Sequence, residues 1–551
     1  MTRLRIILAA YFLLLLAVII KLFIIQVVFS DKYTGNIYLK TQKIQPFRGA
    51  IFDHSSRPLA FNEITYLLFA EPKKIIDKES IVKKIDSITQ IGETTISAKL
   101  NTDKSWIAIG DGISQEQKKK IESEKIVGLG FEERQRVFYP ESSLSAHIMG
   151  FVGKNDVGDN VGYFGIEGFY EKDLAGLPGI VKTERDLLGN PILVGVQNLL
   201  RGENGRDLIL TLDKNVQYIV KKNLLAGLNR YKAKGGCAIV ANPKTMEIIA
   251  MSCLPDYDPT NYQSSSEEIY KNPAVSSLYE PGSIWKPIIM ASALNSESIK
   301  PTDVYNETGS INVGGYEIQT WDNKYEGEIS MTRILEKSSN VGMVFIGSRL
   351  GNEKLIDYLD KFGVEKKTGI DLQGEISGIL KPKSQWYDVD YATATFGQGL
   401  AVTPIRMITS FAALINGGNL MRPYVVSKMK GKITKTTQPA IVDRVISRRT
   451  SIVIKNMLQK TVENAEVKWK RPAGYKIGGK TGTAQVAIAG HYDPSKTIAS
   501  FVGFTPVEDP QLIILVVYRE PQTSPWGSET AAPVFFEILN ELLLYYNIAP
   551  E

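Results

Sequence analysis

A serine and a lysine three residues apart, Ser283 and Lys286, stand in the stretch Tyr279-Glu-Pro-Gly-Ser-Ile-Trp-Lys-Pro-Ile-Ile-Met290. Proline is tolerated in a helix only in the first turn, so Pro287 predicts a helix that begins close to Ser283. Residues i and i+3 share a helix face, which brings the hydroxyl and the amine together at the N-terminus. A desolvated lysine loses its charge and can take up the hydroxyl proton, as nucleophilic catalysis by serine requires. The tetrapeptide alone decides little, because Ser80-Ile-Val-Lys83 and Ser427-Lys-Met-Lys430 repeat it. Those two copies lie in charged surroundings with no apolar helix after them and read as solvated surface. The Ser283 copy runs on through apolar residues to Leu294. Its bland reading, a helix cap beside a surface lysine, has to be decided by the rest of the chain.

Two more polar clusters sit in apolar or glycine-rich context. In Lys337-Ser-Ser-Asn-Val-Gly342, Ser338 and Asn340 flank Ser339 at a loop or helix end. In Gly478-Gly-Lys-Thr-Gly-Thr-Ala484, Lys480 opens a strand whose glycines let a substrate backbone come close. Lys367-Thr-Gly369 repeats part of this cluster in a charged loop with no apolar strand after it, and is set aside. A phosphate-loop reading of Gly479-Lys-Thr481 fails for want of a strand-to-helix context. The chain has three histidines, His54, His147 and His491. That scarcity argues against a histidine-based zinc site and leaves a Ser-His pair only those three candidates.

The elements that must hold these clusters belong to a chain of 551 residues, enough for more than one domain. A formal charge of +6 is small for this length, and no dense Lys/Arg run with interleaved aromatics occurs, so nucleic acid is not indicated. Residues 6–28 are apolar apart from Lys21 and Gln26 and span about 34 Å as a helix, enough to cross a bilayer. Arg3 and Arg5 precede them, which puts the N-terminus in the cytoplasm and the bulk outside. No small-residue cleavage site follows, so the segment reads as an anchor. Cys237 and Cys253 flank a hairpin that turns around residues 242–246; a disulfide and two buried thiols fit that placement equally well. The expected domains are a tail at 1–5, a membrane helix at 6–28, a mixed α+β pedestal at 29–204, and a catalytic domain at 205–551. In the last, strands at 497–505 and 511–518, helices at 214–228, at 531–546 and from Pro404 to an end at Asn416-Gly417-Gly418, and the cysteine hairpin predict an antiparallel sheet covered by helices, within a multi-domain α/β chain.

Ser-x-x-Lys, Ser-x-Asn and Lys-Thr-Gly-Thr in that order resemble the three active-site motifs of penicillin-recognising serine acyl enzymes. The resemblance covers nearly the whole chain after the anchor. Arg48-Gly-Ala-Ile-Phe-Asp53, Tyr139-Pro140, Gly165-Ile-Glu-Gly168, Leu210-Thr-Leu-Asp213, Glu280-Pro-Gly-Ser-Ile-Trp-Lys-Pro287, Phe396-Gly-Gln-Gly399 with Thr403-Pro404, and Ala531-Ala-Pro533 look like class B penicillin-binding proteins, most like the division (septal) type.

That resemblance implies a serine β-lactamase-like fold and D-Ala-D-Ala transpeptidation on peptidoglycan stem peptides, with no metal or cofactor. Ser283 would be the acylated nucleophile and Lys286 its base, Ser338 a proton relay, Asn340 a holder of the substrate amide, and Lys480 a positive neighbour. Thr481, Gly482 and Thr483 would bind substrate, Thr481 and Thr483 its carboxylate, while the backbone N–H groups of Ser283 and Thr483 would form the oxyanion hole. β-Lactams would acylate the same serine. The expected partners are a membrane glycosyltransferase and other division proteins. The sequence departs from the family at Asp53-His54-Ser55-Ser56, where Asp-Arg-Asn-Gly is usual, and at Ile284-Trp285, where Trp285 is expected in the core. An elongation-type transpeptidase, a carboxypeptidase or β-lactamase, and a non-enzymatic sensor or scaffold are the rival readings.

Overall fold

The computed structural model describes residues 2–29, 39–184, 198–488 and 491–550. It divides into two compact units, residues 1–48 with 175–205 and residues 49–174 with 206–551. In the first, the helix Thr2–Phe23 continues as a π-helical turn over Ile24–Val28. Among the described residues it is the one helix long and apolar enough to cross a membrane. The strands Leu39–Ile44, Gly179–Glu184 and Asn198–Leu200 make a separate antiparallel sheet in that unit. Residues 30–38 and 185–197 of the expected pedestal lie outside the described residues.

The second unit is organised around a five-stranded sheet. In chain order its elements are helix α1 (Lys214–Tyr231), strands β1 (Gly235–Ala241) and β2 (Ile248–Leu254), and helix α2 (Lys286–Asn295). Helices α3 (Met331–Lys337), α4 (Asn340–Leu350), α5 (Pro404–Ile415) and α6 (Arg448–Glu463) follow. Strands β3 (Gly478–Ile488), β4 (His491–Thr505) and β5 (Leu512–Arg519), then helix α7 (Ala531–Tyr545), complete the set that forms and covers this sheet. The strand order is β2-β1-β5-β4-β3, antiparallel throughout.

Both faces of this sheet are covered, which explains why its strands read as continuous apolar runs and not as an alternation with polar residues. Ala238, Val240, Ile514 and Val516 face one core with Val220 and Leu224 of α1 and Phe535 and Leu539 of α7. Their neighbours Ile239, Leu515 and Val517 face the other core, with Ile288 of α2, Phe411 of α5 and Leu458 of α6. α5 begins as its sequence dictates, with Thr403 accepting the Arg406 N–H at 3.2 Å and Pro404 in the first turn. Cys237 and Cys253 are register partners on β1 and β2 and form a disulfide.

Residues 49–174, placed in the pedestal by sequence, pack within the same compact unit as 206–551. The strand Asp207–Leu210 pairs in parallel with Ile51–Phe52 and antiparallel with Val426–Lys430, which builds one sheet from distant parts of the chain. The helices Lys78–Thr89, Glu93–Leu100 and Gln115–Ser123 pack on that sheet's outer strands, and Ser114 closes a capping box on the last of them.

Candidate active site

Ser283 sits one step earlier than the sequence suggests. The residues Gly282–Trp285 form a 3₁₀ turn, and the α-helix starts at Lys286 with Pro287 in its first turn. The turn is clasped from behind. Gly282 N–H donates to Gly397 O at 2.9 Å, and a Cβ on Gly397 would lie 2.2 Å from Gly282 O. Gly397 has φ +81°, so glycine is required there on two counts. Trp285 is fully buried and packs in the core.

Lys286 is fully buried. Its Nζ lies 2.5 Å from Ser338 O, 3.2 Å from Ser338 Oγ and 2.7 Å from Asn340 Oδ1. Burial, with Lys480 as a neighbouring positive charge, pulls its pKa well below the usual lysine value. Lys480 is 3% exposed, at 3.0 Å from Ser338 Oγ, and burial brings its pKa down to about 7. One hydroxyl, that of Ser338, therefore stands between two lysines whose surroundings disfavour charge.

Ser338 can do this because it ends α3 in the left-handed conformation, φ 60° and ψ 37°, and α4 starts afresh behind it. That conformation is uncommon outside glycine and is held by its surroundings. Ser339 caps α4 by accepting Gly342 N–H at 2.8 Å. Asn340 Nδ2 donates to Gln319 O at 3.0 Å, so its amide is fixed at both ends.

On the opposite side β3 passes close to the Ser283 turn. A Cβ on Gly482 would lie 2.9 Å from Ile284 Cγ2 and 3.1 Å from Pro281 O, and one on Gly282 would lie 3.0 Å from Thr483 O. The glycines thus bring the Thr483 backbone beside Ser283. Thr483 Oγ1 accepts Gly527 N–H at 3.1 Å, which leaves its proton free to donate outward. Thr481 Oγ1 lies 3.4 Å from Lys480 Nζ.

These groups line one cleft of about 360 Å³, to which Ser283, Ser338, Asn340, Lys480, Thr481 and Thr483 all contribute. Of the eight residues singled out from the sequence, the other two do not line it: Gly482 is buried against the Ser283 turn, and Lys286 is buried with its Nζ on Ser338 and Asn340. The repeats of the motifs lie elsewhere. Ser80 N–H is tied to Asp77 at a helix start, and Thr368 is buried against Glu375. Ser427, expected at the solvated surface, instead sits on a strand with its hydroxyl on Ile209 O. His54 lies 3.7 Å from Asp213, and His147 bonds to Ile269 O.

The cleft also holds residues that no motif marks. Trp321 and Trp526 stand at its mouth, half exposed, with ring centroids 5.5 Å apart. Outside the cleft, Glu280, which opens the Glu-Pro-Gly-Ser stretch, accepts Gly399 N–H and the Tyr492 hydroxyl. The partners of all three come from far along the chain, so spacing carried no sign of these contacts.

Comparison with known proteins places this arrangement in a family. Residues 236–540 match the penicillin binding protein transpeptidase domain and residues 43–210 the penicillin-binding protein dimerisation domain. The chain is 34% identical to stage V sporulation protein D of Bacillus subtilis, over 98% of this chain and 86% of that one. It is 29% identical to peptidoglycan D,D-transpeptidase FtsI of Escherichia coli, over 93% of this chain and 86% of that one. Among solved structures, penicillin binding protein 2X from Streptococcus thermophilus superposes with a TM-score of 0.77 at 24% identity, over 92% of this chain and 80% of that one. A peptidoglycan synthetase from Bifidobacterium adolescentis gives 0.75 at 24% identity, covering 93% and 98%. With its transpeptidase match spanning more than half of the chain, the protein belongs to the penicillin-binding protein transpeptidases.

Proposed function

We propose that the chain is a peptidoglycan D,D-transpeptidase that works through an acyl-enzyme at Ser283. The observation that carries this reading is the buried Lys286, linked to Lys480 by the hydroxyl of Ser338. A lysine held neutral there takes the Ser283 proton as Oγ attacks the carbonyl between the two D-alanines. The oxyanion is received by the backbone N–H groups of Ser283 and Thr483. Charged Lys480 donates to Ser338 Oγ, whose own proton then points at neutral Lys286. Ser338 passes a proton to the departing D-alanine amine and is reprotonated from Lys286. The hydroxyls of Thr481 and Thr483 hold the terminal carboxylate, and Asn340 holds the peptide amide. A stem-peptide amine then attacks the ester, gives up its proton along the same path and frees Ser283. A β-lactam enters the first step in place of the dipeptide.

We assign residues 29–204 to the pedestal and 205–551 to the transpeptidase domain; the dimerisation match over 43–210 supports the division. Arg3 and Arg5 ahead of the span favour a cytoplasmic N-terminus, with the catalytic domain on the outer side. Similarity to FtsI supports septal wall synthesis with a membrane glycosyltransferase and other division proteins as partners. A fluorescent fusion that marks the lateral wall during growth would overturn the septal assignment.

The experiment for the reaction itself supplies uncross-linked glycan strands bearing pentapeptides. Transfer predicts cross-linked dimers with one D-alanine released per link. D-alanine release with no dimer, together with rapid turnover of a penicillin adduct, would identify a hydrolase instead.

A further inference from the structure

After α2 the chain leaves the helical layer over residues 304–330, forms two short hairpins and returns at α3. The hairpins are Val304–Glu307 with Gly327–Ser330, and Ile311–Val313 with Tyr316–Ile318. From the first, Glu307 turns inward and is completely buried. One of its carboxylate oxygens lies 3.0 Å from Lys337 Nζ, and the other accepts the Ser339 hydroxyl. Lys337 and Ser339 are buried too, and they are the residues on either side of Ser338. The same excursion supplies Gln319 O to Asn340, Trp321 Nε1 to Lys337 O at 3.1 Å, and Lys324 O to Lys337 Nζ. The second acidic group near Lys337 is Glu326 at 3.9 Å, which is engaged by Arg333.

A buried carboxylate–ammonium pair costs desolvation that apolar residues of the same volume would avoid, so stability is a poor reason for one here. Geometry is a better reason. Ser338 adopts an uncommon backbone conformation, and both its oxygens are used, Oγ toward Lys286 and Lys480 and O toward Lys286. Tying the residue before it and the residue after it to the two oxygens of one rigid carboxylate fixes that conformation from both ends.

We propose that Glu307 is a positioning residue for acylation, holding Ser338 and Asn340 against Lys286 through Lys337 and Ser339. The proposal rests on the reading of Ser283 as the nucleophile. Glu307→Gln keeps an acceptor for Ser339 and removes the charge opposite Lys337. Glu307→Gln with Lys337→Met removes both charges and leaves no unpaired ion in the core.

The test uses the full chain in detergent with a fluorescent penicillin. Rapid mixing separates the non-covalent dissociation constant from the acylation rate constant, and thermal melting is followed in parallel. An ångström-scale loosening of Ser338 predicts an acylation rate constant lower by about 10²-fold in both variants, including the double variant, in which melting is restored. A double variant that melts and acylates like the wild type would show that Glu307 only neutralises Lys337, and the proposal would be wrong. Should the single variant not fold, the double variant carries the test. Wild-type protein that takes up no penicillin on Ser283 would instead refute the nucleophile assignment, an outcome separate from either of these.

Discussion

Lys480 gives the most quantitative test of the site's electrostatics. Burial lowers its pKa from 10.5 to about 7 in the folded chain. Between those values the unfolded chain holds a proton that the folded chain has released, so stability must rise with pH across that window and fall as pH drops toward 7. Below 7 the folded lysine is protonated as well and the dependence levels off. One proton difference is worth about 1.36 kcal/mol for each pH interval of one, so the gain from pH 7 to pH 9 is about 2 kcal/mol. Lys480→Met keeps an unbranched side chain of similar length and abolishes this contribution. The packing lost with the side chain weighs equally at both pH values and cancels in the comparison, while the charge dependence of its contacts to Ser338 and Thr481 is already contained in the shifted pKa. Lys286 is pushed down partly by Lys480, so its own contribution shrinks in the variant and works in the same direction. Urea unfolding of both proteins at pH 7 and pH 9 measures the difference. A wild type that gains no more than the variant over this range would show that burial does not lower the Lys480 pKa toward 7, and that Lys480 stays fully charged across it.

Three further outcomes follow from the geometry. Lys286→Met should remain folded and lose about 10²–10⁴-fold in the rate of penicillin acylation, because the general base is gone; an unchanged rate would exclude Lys286 as the base. In Gly397→Ala, the added carbon 2.2 Å from Gly282 O and a φ of +81° should cost about 1–3 kcal/mol and slow acylation, read by melting and labelling, whereas wild-type labelling would mean that the clasp does not position Ser283. Replacing Cys237 and Cys253 by serine opens a cross-link 16 residues apart and should lower stability by about 3 kcal/mol in denaturant titrations while leaving acylation intact; equal midpoints would count against the bridge.

How far the sequence leads can be followed residue by residue. Lys286 beside a proline-marked helix start was readable because helix initiation is local chemistry, and the strands of the central sheet were readable because burial on two faces leaves runs such as Leu512–Arg519 almost wholly apolar. The 3₁₀ turn under Ser283 was not, since Gly397, far along the chain, shapes it. Nor was the disulfide, because hairpin spacing places two cysteines opposite each other without saying whether they are joined. The packing of residues 49–174 with 206–551 depends on the pairing of Ile51–Phe52 with Asp207–Leu210, a contact across the length of the pedestal that no periodicity encodes. Glu307 was invisible for the same reason: a glutamate at a strand end reads as solvated surface, and only the fold brings Lys337 and Ser339 to it.

The central claim is covalent, and mass spectrometry reads it directly. Full-length protein incubated with benzylpenicillin, digested and mapped should carry the penicilloyl group on the peptide containing Ser283, with one adduct per chain and none in Ser283→Ala. An adduct on any other residue, or one that persists in Ser283→Ala, would contradict the account.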